Sequence, residues 1–181
     1  MPLSKLSPAP RTMLKAGQPV VDHWHHLDDE APLPATGDIV VSPARLDAQA
    51  GDLATRRAAG HRVGLRLTTD DTAETAAAHL DAVDLVAIYI PKFVDGRFFT
   101  IARLLRERHG YTGELRACGD VVPDQVFYMH RCGFDAYEVP GPEHRLLAAA
   151  KALATFTVAY QGGSLRAQRG QATSGKVAQA S

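Results

Sequence analysis

The chain has 181 residues, and its 20 basic residues balance its 20 acidic residues. This length suits one domain that buries roughly 70% of its unfolded surface, and the balanced charge disfavours nucleic acid as a partner. The two cysteines are too few for a disulfide scaffold or for a four-cysteine metal site. No segment approaches the ~20 apolar residues of a membrane span, so we expect a cytoplasmic protein with no membrane partner.

Both ends of the chain have the composition of flexible tails. Residues 1–18 and 161–181 are rich in Ser, Pro, Gly, Gln and Ala and offer little apolar surface to bury. We therefore expect an N-terminal tail over 1–18, an α/β domain over 19–160 and a disordered C-terminal tail. The segment 19–24 could add an antiparallel edge strand at the start of the domain.

Short β-branched or aromatic runs alternate with helical patterns through this domain. The five predicted strands lie at residues 39–41, 63–67, 85–90, 115–118 and 136–139. Strands separated by helices predict a mainly parallel sheet, and the apolar run at 85–90 suits a central strand covered on both faces. A closed barrel of eight units needs at least ~200 residues. Two alternatives remain, an open flavodoxin-like sheet and a half-barrel with its strands in sequential order.

The predicted helices have recognisable ends. Pro43 follows a capping Ser42, and the helical pattern that begins there continues to Gly60. Asp71 and Glu74 have the spacing of a capping box, in which Asp71 accepts from the backbone of Glu74. Three more helices are predicted, at residues 98–109, 123–133 and 143–158.

Charged residues and turn glycines follow three of the predicted strands. The carboxyl ends of parallel strands share one edge of a sheet, which we call the rim and where such folds bind ligands. Helix N-termini at the rim can help to hold a small oxyanion. The alternative interpretation is that these side chains cap helices and brace turns. The ligand-binding candidates are Lys92, Asp95, Arg97, Arg116, Asp120, Asp124 and Gln125.

The segment 22–30 contains three histidines and several carboxylates, which are ligand types that metals prefer. No second cluster at a suitable spacing completes a coordination shell, so we expect a solvated loop and no metal site. Cys118 is interpreted as a core thiol rather than as a nucleophile. Residues 127–129 are expected to pack a helix against the sheet.

Motifs between residues 93 and 135 carry a resemblance to a known family. Together they resemble the bacterial domain-of-unknown-function family 934, and the likeness extends more weakly over residues 24–147. The chain differs at Thr100, where the family more often has serine, and at Cys118, where an aliphatic residue is usual. The motifs are Phe93-x-Asp95-Gly96-Arg97, Ala102-Arg103-Leu104-Leu105-Arg106, Gly110-Tyr111-x-Gly113-Glu114-Leu115-Arg116-Ala117, Gly119-Asp120-Val121, Asp124-Gln125 and Arg131-Cys132-Gly133-Phe134-Asp135.

The resemblance implies a role in sulfur metabolism without implying a reaction. Members of the family are typically encoded beside an assimilatory sulfite or nitrite reductase. We therefore expect an accessory protein of assimilatory sulfite reduction, with the reductase as its candidate partner. The alternative is a small enzyme or sensor that binds an oxyanion at the rim. No catalytic residue can be assigned, and no nucleotide-binding glycine loop or heme, flavin or iron–sulfur ligand set is visible, so no cofactor is expected.

Overall fold

A curved eight-stranded sheet and six α-helices form residues 11–155, the part of the chain that the computed structural model describes. The strands are β1 (Arg11–Lys15), β2 (Gln18–Asp22), β3 (His25–His26), β4 (Ile39–Val41), β5 (Val63–Thr68), β6 (Leu85–Ile90), β7 (Glu114–Gly119) and β8 (Ala136–Tyr137). The helices are α1 (Pro43–Ala48), α2 (Ala50–Ala58), α3 (Ala73–Ala77), α4 (Arg97–Glu107), α5 (Val126–Arg131) and α6 (Glu143–Thr155). Short 3-10 turns occupy Leu80–Ala82 and Pro123–Gln125.

The strand order is β2-β1-β8-β7-β6-β5-β4-β3. From β3 to β8, each strand pairs in parallel with the next strand of the chain. This sequential order confirms the half-barrel alternative and excludes the flavodoxin-like one, in which the first strand lies inside the sheet. The five predicted strands are all present, and β6 is interior as expected. The sheet is larger than the five strands predicted for it, because β1, β2 and β3 extend it at its two edges.

The edge strands β1 and β2 form a hairpin. They pair antiparallel along their full length, and β1 also pairs antiparallel with β8. Their turn residues Ala16 and Gly17 have φ values of 51° and 76°, as a two-residue turn with two positive φ angles requires. The predicted flexible tail is therefore wrong from Arg11 onward, whereas β2 confirms the predicted edge strand. Residues 1–10 and the predicted tail at 161–181 lie outside the described residues.

The sheet has a helix-covered face and a concave face. Side chains alternate along each strand, so Val86 and Leu115 point towards the helices and join the main apolar core. On the opposite, concave face the register aligns Arg66 with Ala87 and Ala87 with Arg116. A smaller apolar cluster on this face consists of Trp24, Val40, Leu85, Ala87 and Cys118.

Side-chain caps determine where α1 and α3 begin. Ser42 accepts a hydrogen bond from the N–H of Arg45 at 3.2 Å, which confirms the predicted cap. The predicted capping box at Asp71 is wrong, because the hydroxyl of Thr72 caps α3. The Asp71 carboxylate instead accepts from the N–H and the hydroxyl of Thr68. Asp71 therefore closes the turn that leaves β5.

Gly133, just after α5, provides a test of local packing. Its φ is 108°, and a Cβ there would lie 2.5 Å from Cγ of the buried Arg106. We expect Gly133→Ala to lower the free energy of unfolding by about 2–4 kcal/mol, because a strained backbone is combined with a displaced core side chain. Urea denaturation measures this change.

The control is Gly60→Ala, where φ is 89° but a Cβ would meet nothing within 4 Å. Only backbone strain applies there, so the expected loss is about 1–2 kcal/mol. Equal losses at the two positions would contradict a role for the contact with Arg106.

Candidate functional site

The loops that follow β5, β6 and β7 meet at the rim, as the sequence predicts. The Arg97 guanidinium donates to Asp70, which follows β5, at 2.8 Å. The N–H of Phe93 donates to Asp120, which follows β7, at 3.0 Å. The Gln125 side-chain amide contacts the Phe93 carbonyl at 3.5 Å. These contacts hold the loop 91–96 between its two neighbours.

Arg97 is already engaged by two carboxylates. Its guanidinium donates to both oxygens of Asp95, at 3.0 and 2.8 Å, in addition to Asp70. The N–H of Arg97, at the start of α4, also donates to Asp95 at 3.2 Å. Hydrogen bonds from Arg97 and Thr69 hold the pKa of Asp95 well below its usual range. The group of Asp70, Asp95 and Arg97 is therefore negatively charged, and an anion would have to displace a carboxylate to reach the guanidinium.

The other rim candidates divide between braces and exposed surface. Asp120 and Gln125 hold the backbone of the loop 91–96, as described above. Lys92 and Asp124 are exposed to solvent. In the structure, Asp95, Asp120 and Gln125 therefore brace the rim loops, as the alternative interpretation of the sequence proposes.

Four apolar or aromatic residues on the loop after β6, on α4 and on α5 were missed as a group by sequence reasoning. We call Phe93, Val94, Phe99 and Tyr128 the apolar rim patch. Phe93 is 46% exposed, Val94 71% and Tyr128 51%. The rings of Phe99 and Tyr128 lie 4.7 Å apart between centroids. The expected packing of residues 127–129 against the sheet is confirmed for Met129, which is fully buried, and is wrong for Tyr128. The available signal was two consecutive apolar residues, Phe93 and Val94, within a polar loop.

Arg116 does not lie with the other candidates. It belongs to the interior of β7, and its side chain is 2% exposed on the concave face. The guanidinium lies 2.8 Å from Asp22, 2.7 Å from Glu114 and 3.6 Å from Glu138. Burial opposes its charge, but the three carboxylates keep the pKa of Arg116 above its ordinary value. The expected grouping of Arg116 with the rim residues is therefore wrong.

Two further bases complete a set of ion pairs on the concave face. Arg11 lies 2.9 Å from Glu138, and Lys15 lies 2.6 Å from Glu114. Burial alone would raise the pKa of Glu114, but Arg116 and Lys15 hold it below its usual value. Three bases thus balance three acids, and we call this set the concave-face network: Arg11, Lys15, Arg116, Asp22, Glu114 and Glu138.

His26 reaches the concave-face network from the opposite edge of the sheet. Its side chain is 1% exposed, and Nε2 lies 3.4 Å from Oε1 of Glu138. Burial would raise the pKa of Glu138, but His26, Arg116 and Arg11 hold it below its usual value. The expectation of a solvated segment is therefore wrong for His26, although His23 and His25 are exposed. Sequence reasoning noticed these histidines but could not connect them with Glu138, which lies more than a hundred residues away.

A two-residue link joins the two edges of the sheet. Only His23 and Trp24 separate β2 from β3, which are the outermost strands on opposite sides. Such a link spans at most about 11 Å between the Cα atoms of Asp22 and His25, so the edges approach each other at this corner. Trp24 is 8% exposed and packs in the apolar cluster of the concave face. The guanidinium of Arg62 lies over its ring at 4.9 Å from the centroid.

Cys118 belongs to the same apolar cluster as Trp24. It is fully buried, and its thiol contacts the carbonyl of Ile88 at 3.5 Å. Burial raises the pKa of the Cys118 thiol well above its ordinary value. These observations confirm a core thiol, because a nucleophilic cysteine needs a lowered pKa and access to substrate.

These features define a class of protein, an α/β half-barrel whose concave face is filled by ion pairs and a tryptophan. The family described as bacterial protein of unknown function (DUF934) matches residues 64–169. Because the match covers more than half of the chain, the protein belongs to this family. No curated protein matches the chain. Among the helices within residues 11–155, none combines the length and the apolar character needed to cross a bilayer.

The concave-face network predicts a large effect of Arg116→Met. Removal of the guanidinium leaves Asp22 and its neighbouring carboxylates buried without their shared counter-ion. We expect the free energy of unfolding at pH 7 to fall by about 3–5 kcal/mol, as measured by urea denaturation. Arg103→Met is the control, because the pair of Arg103 with Glu107 is exposed and should matter little. A loss for Arg116→Met as small as that of the control would contradict this account.

The lowered pKa of Glu114 predicts how stability depends on pH. A carboxyl group whose pKa is lower in the folded state contributes stability above its unfolded pKa and loses it as the pH falls. Glu114→Gln should therefore be less stable than the parent at pH 7, and the difference should shrink as the pH falls through and below the ordinary value of 4.5. Denaturation curves at several pH values measure the difference. Glu30→Gln, at an exposed loop residue, should leave the pH profile unchanged, and a constant gap for Glu114→Gln would refute the assignment.

Proposed function

We propose that this protein is an accessory protein of assimilatory sulfite reduction that binds a component of the reductase system through the apolar rim patch. It acts as a binding module rather than as a catalyst. The observation that carries the proposal is the exposure of Phe93 and Val94, on a loop whose backbone is held at Phe93, and of Tyr128 on α5. Exposed apolar patches on soluble proteins commonly mark interaction sites.

The apolar rim patch is organised before any partner binds. Asp120 and Gln125 hold the N–H and the carbonyl of Phe93. Tyr128 lies one helical turn after Gln125, and its ring packs on Phe99. A surface that is already ordered loses little conformational freedom on binding, and this favours affinity. Aromatic residues are also enriched among those that dominate the energy of interfaces.

The charges around the patch indicate what kind of surface would fit it. Asp70, Asp95 and Asp124 lie on the loops of the rim together with Asp120, whereas the basic rim residues are Lys92 and Arg97. Acids therefore outnumber bases. A partner surface with an apolar centre and basic surroundings would be complementary to this region.

Family membership supports the choice of partner. The family is one whose members are typically encoded beside an assimilatory sulfite or nitrite reductase. Proteins that are encoded together often act on the same process, so the reductase is the first partner to test. The geometry of the rim supports binding, and membership of this family supports this particular partner.

Binding of a small oxyanion at the rim is the competing function, and the charges there favour it less. Arg97 would have to leave Asp70 or Asp95, and the start of α4 already donates to the Asp95 carboxylate. Titration calorimetry with sulfite, sulfate, nitrite and phosphate separates the two functions. An anion that binds the parent and fails to bind Arg97→Ala would favour the oxyanion function.

Val94→Asp tests the docking proposal directly. Val94 is 71% exposed, so the substitution should leave the fold intact while it places a charge in the proposed interface. We expect the full-length protein to bind the purified reductase and the variant to bind it at least about tenfold more weakly. Calorimetry or surface plasmon resonance measures the two dissociation constants.

The matched control is Leu147→Asp, which changes an apolar residue of similar exposure, 54%, on α6. This variant should bind the reductase like the parent. The proposal fails if the parent does not bind, or if both variants lose the same affinity. Unchanged growth of a deletion strain with sulfite as the sulfur source would also count against it.

A further inference from the structure

Three potential metal ligands from distant parts of the chain meet on the concave face. Asp22 ends β2, His26 ends β3 and Glu138 follows β8. Each offers one ligand atom, and these atoms all lie within 4.8 Å of one another. The three side chains are 2%, 1% and 9% exposed, respectively. The group is therefore enclosed, unlike the acidic clusters that occur widely on protein surfaces.

Each of these residues has a buried polar atom that makes no hydrogen bond within the described part of the chain. These atoms are Oδ2 of Asp22, both ring nitrogens of His26 and Oε1 of Glu138. Buried polar atoms are nearly always paired, and an unpaired one is destabilising. The convergence of such atoms from three elements on one point calls for a ligand that can satisfy them.

The second oxygen of each carboxylate is already occupied. Oδ1 of Asp22 lies 2.8 Å from Arg116 and accepts from the N–H of Trp24 at 3.2 Å. Oε2 of Glu138 lies 2.9 Å from Arg11. Each carboxylate is thus held in place by one oxygen, and Glu138 presents its other oxygen, Oε1, to His26 at 3.4 Å. Metal ligands are commonly oriented by outer contacts of this kind.

We propose that Asp22, His26 and Glu138 bind one divalent transition-metal ion, with zinc as the best match. One imidazole nitrogen and two carboxylate oxygens are ligands that zinc accepts, and the imidazole disfavours calcium and magnesium. Ligand atoms about 2.1 Å from a tetrahedral zinc ion lie about 3.4 Å from one another. The separation of His26 Nε2 and Glu138 Oε1 is 3.4 Å.

Arg116 is the competitor of a metal ion at this site. Its guanidinium lies 3.6 Å from Oε1 of Glu138, the oxygen that the metal would use. It is closer to Oδ1 of Asp22, at 2.8 Å, and that pair remains when the metal binds through Oδ2. If Arg116 alone neutralises the carboxylates, the cluster is an ion-pair network and the protein binds no metal there.

The test uses the full-length, tag-free protein after removal of metals with a chelator. Calorimetric titration with zinc chloride should show one bound equivalent and a raised melting temperature, whereas calcium and magnesium chloride at the same concentration should show neither. His26→Asn should lose the equivalent. His25→Asn changes the adjacent, exposed histidine and should retain it. The proposal is overturned if the parent binds no zinc, if His26→Asn retains the equivalent, or if the His25 variant loses it as well.

A measurement on the parent protein covers the case in which His26→Asn fails to fold. X-ray absorption at the zinc edge should show nitrogen and oxygen neighbours at about 2.0–2.2 Å, including one imidazole. A sulfur neighbour at about 2.3 Å would place the ion on a cysteine and overturn the assignment. Glu138→Gln, which keeps the size of the side chain, should weaken zinc binding while circular dichroism shows a folded protein.

Discussion

The buried guanidinium of Arg116 is the group on which the concave face depends. It contacts carboxylates from the end of β2, from β7 and from the segment after β8. Burial of such charges is expensive unless each is paired, and an ion pair in the interior often gives no more stability than a packed hydrophobic residue. Its main effect is then on specificity, because the carboxylates pair with Arg116 only when the hairpin of β1 and β2 sits in one register beside β8. Arg11 and Lys15, which lie on that hairpin, favour the same register because they pair with Glu138 and Glu114.

Similar residue types have a different role at the rim. The pairs of Arg97 are exposed to water, where ion pairs contribute little to stability. Their geometric role is to hold the start of α4 and the loop 91–96 against the loop after β5. These pairs thereby support the segment that carries Phe93 and Val94. Because the rim and the concave-face network use different side chains, substitutions in one need not disturb the other.

Local patterns in the sequence predicted the five inner strands and most helix boundaries, because burial on both faces gives a strand a continuous apolar run. The hairpin was missed because residues 11–18 resemble a tail in composition and because its turn uses Ala16, a residue uncommon at positive φ. The face on which Arg116 lies could have been predicted from the sequence. Along β7, Glu114, Arg116 and Cys118 alternate with Leu115 and Ala117, so the two sets of side chains point to opposite faces of the sheet. The contact of His26 with Glu138 could not have been predicted from the sequence, because it depends on how strongly the whole sheet curves.

The pairing of β1 with β8 has a consequence for how the chain folds during synthesis. Leu14 lies opposite Tyr137 in the sheet, so the hairpin is synthesised more than a hundred residues before its neighbour exists. At ordinary translation rates this interval lasts on the order of 6–25 s. During this interval the growing sheet lacks β8, and Met13 and Leu14 have no apolar partner from that strand. Closure of the half-barrel is therefore a late step that must wait for the other end of the domain.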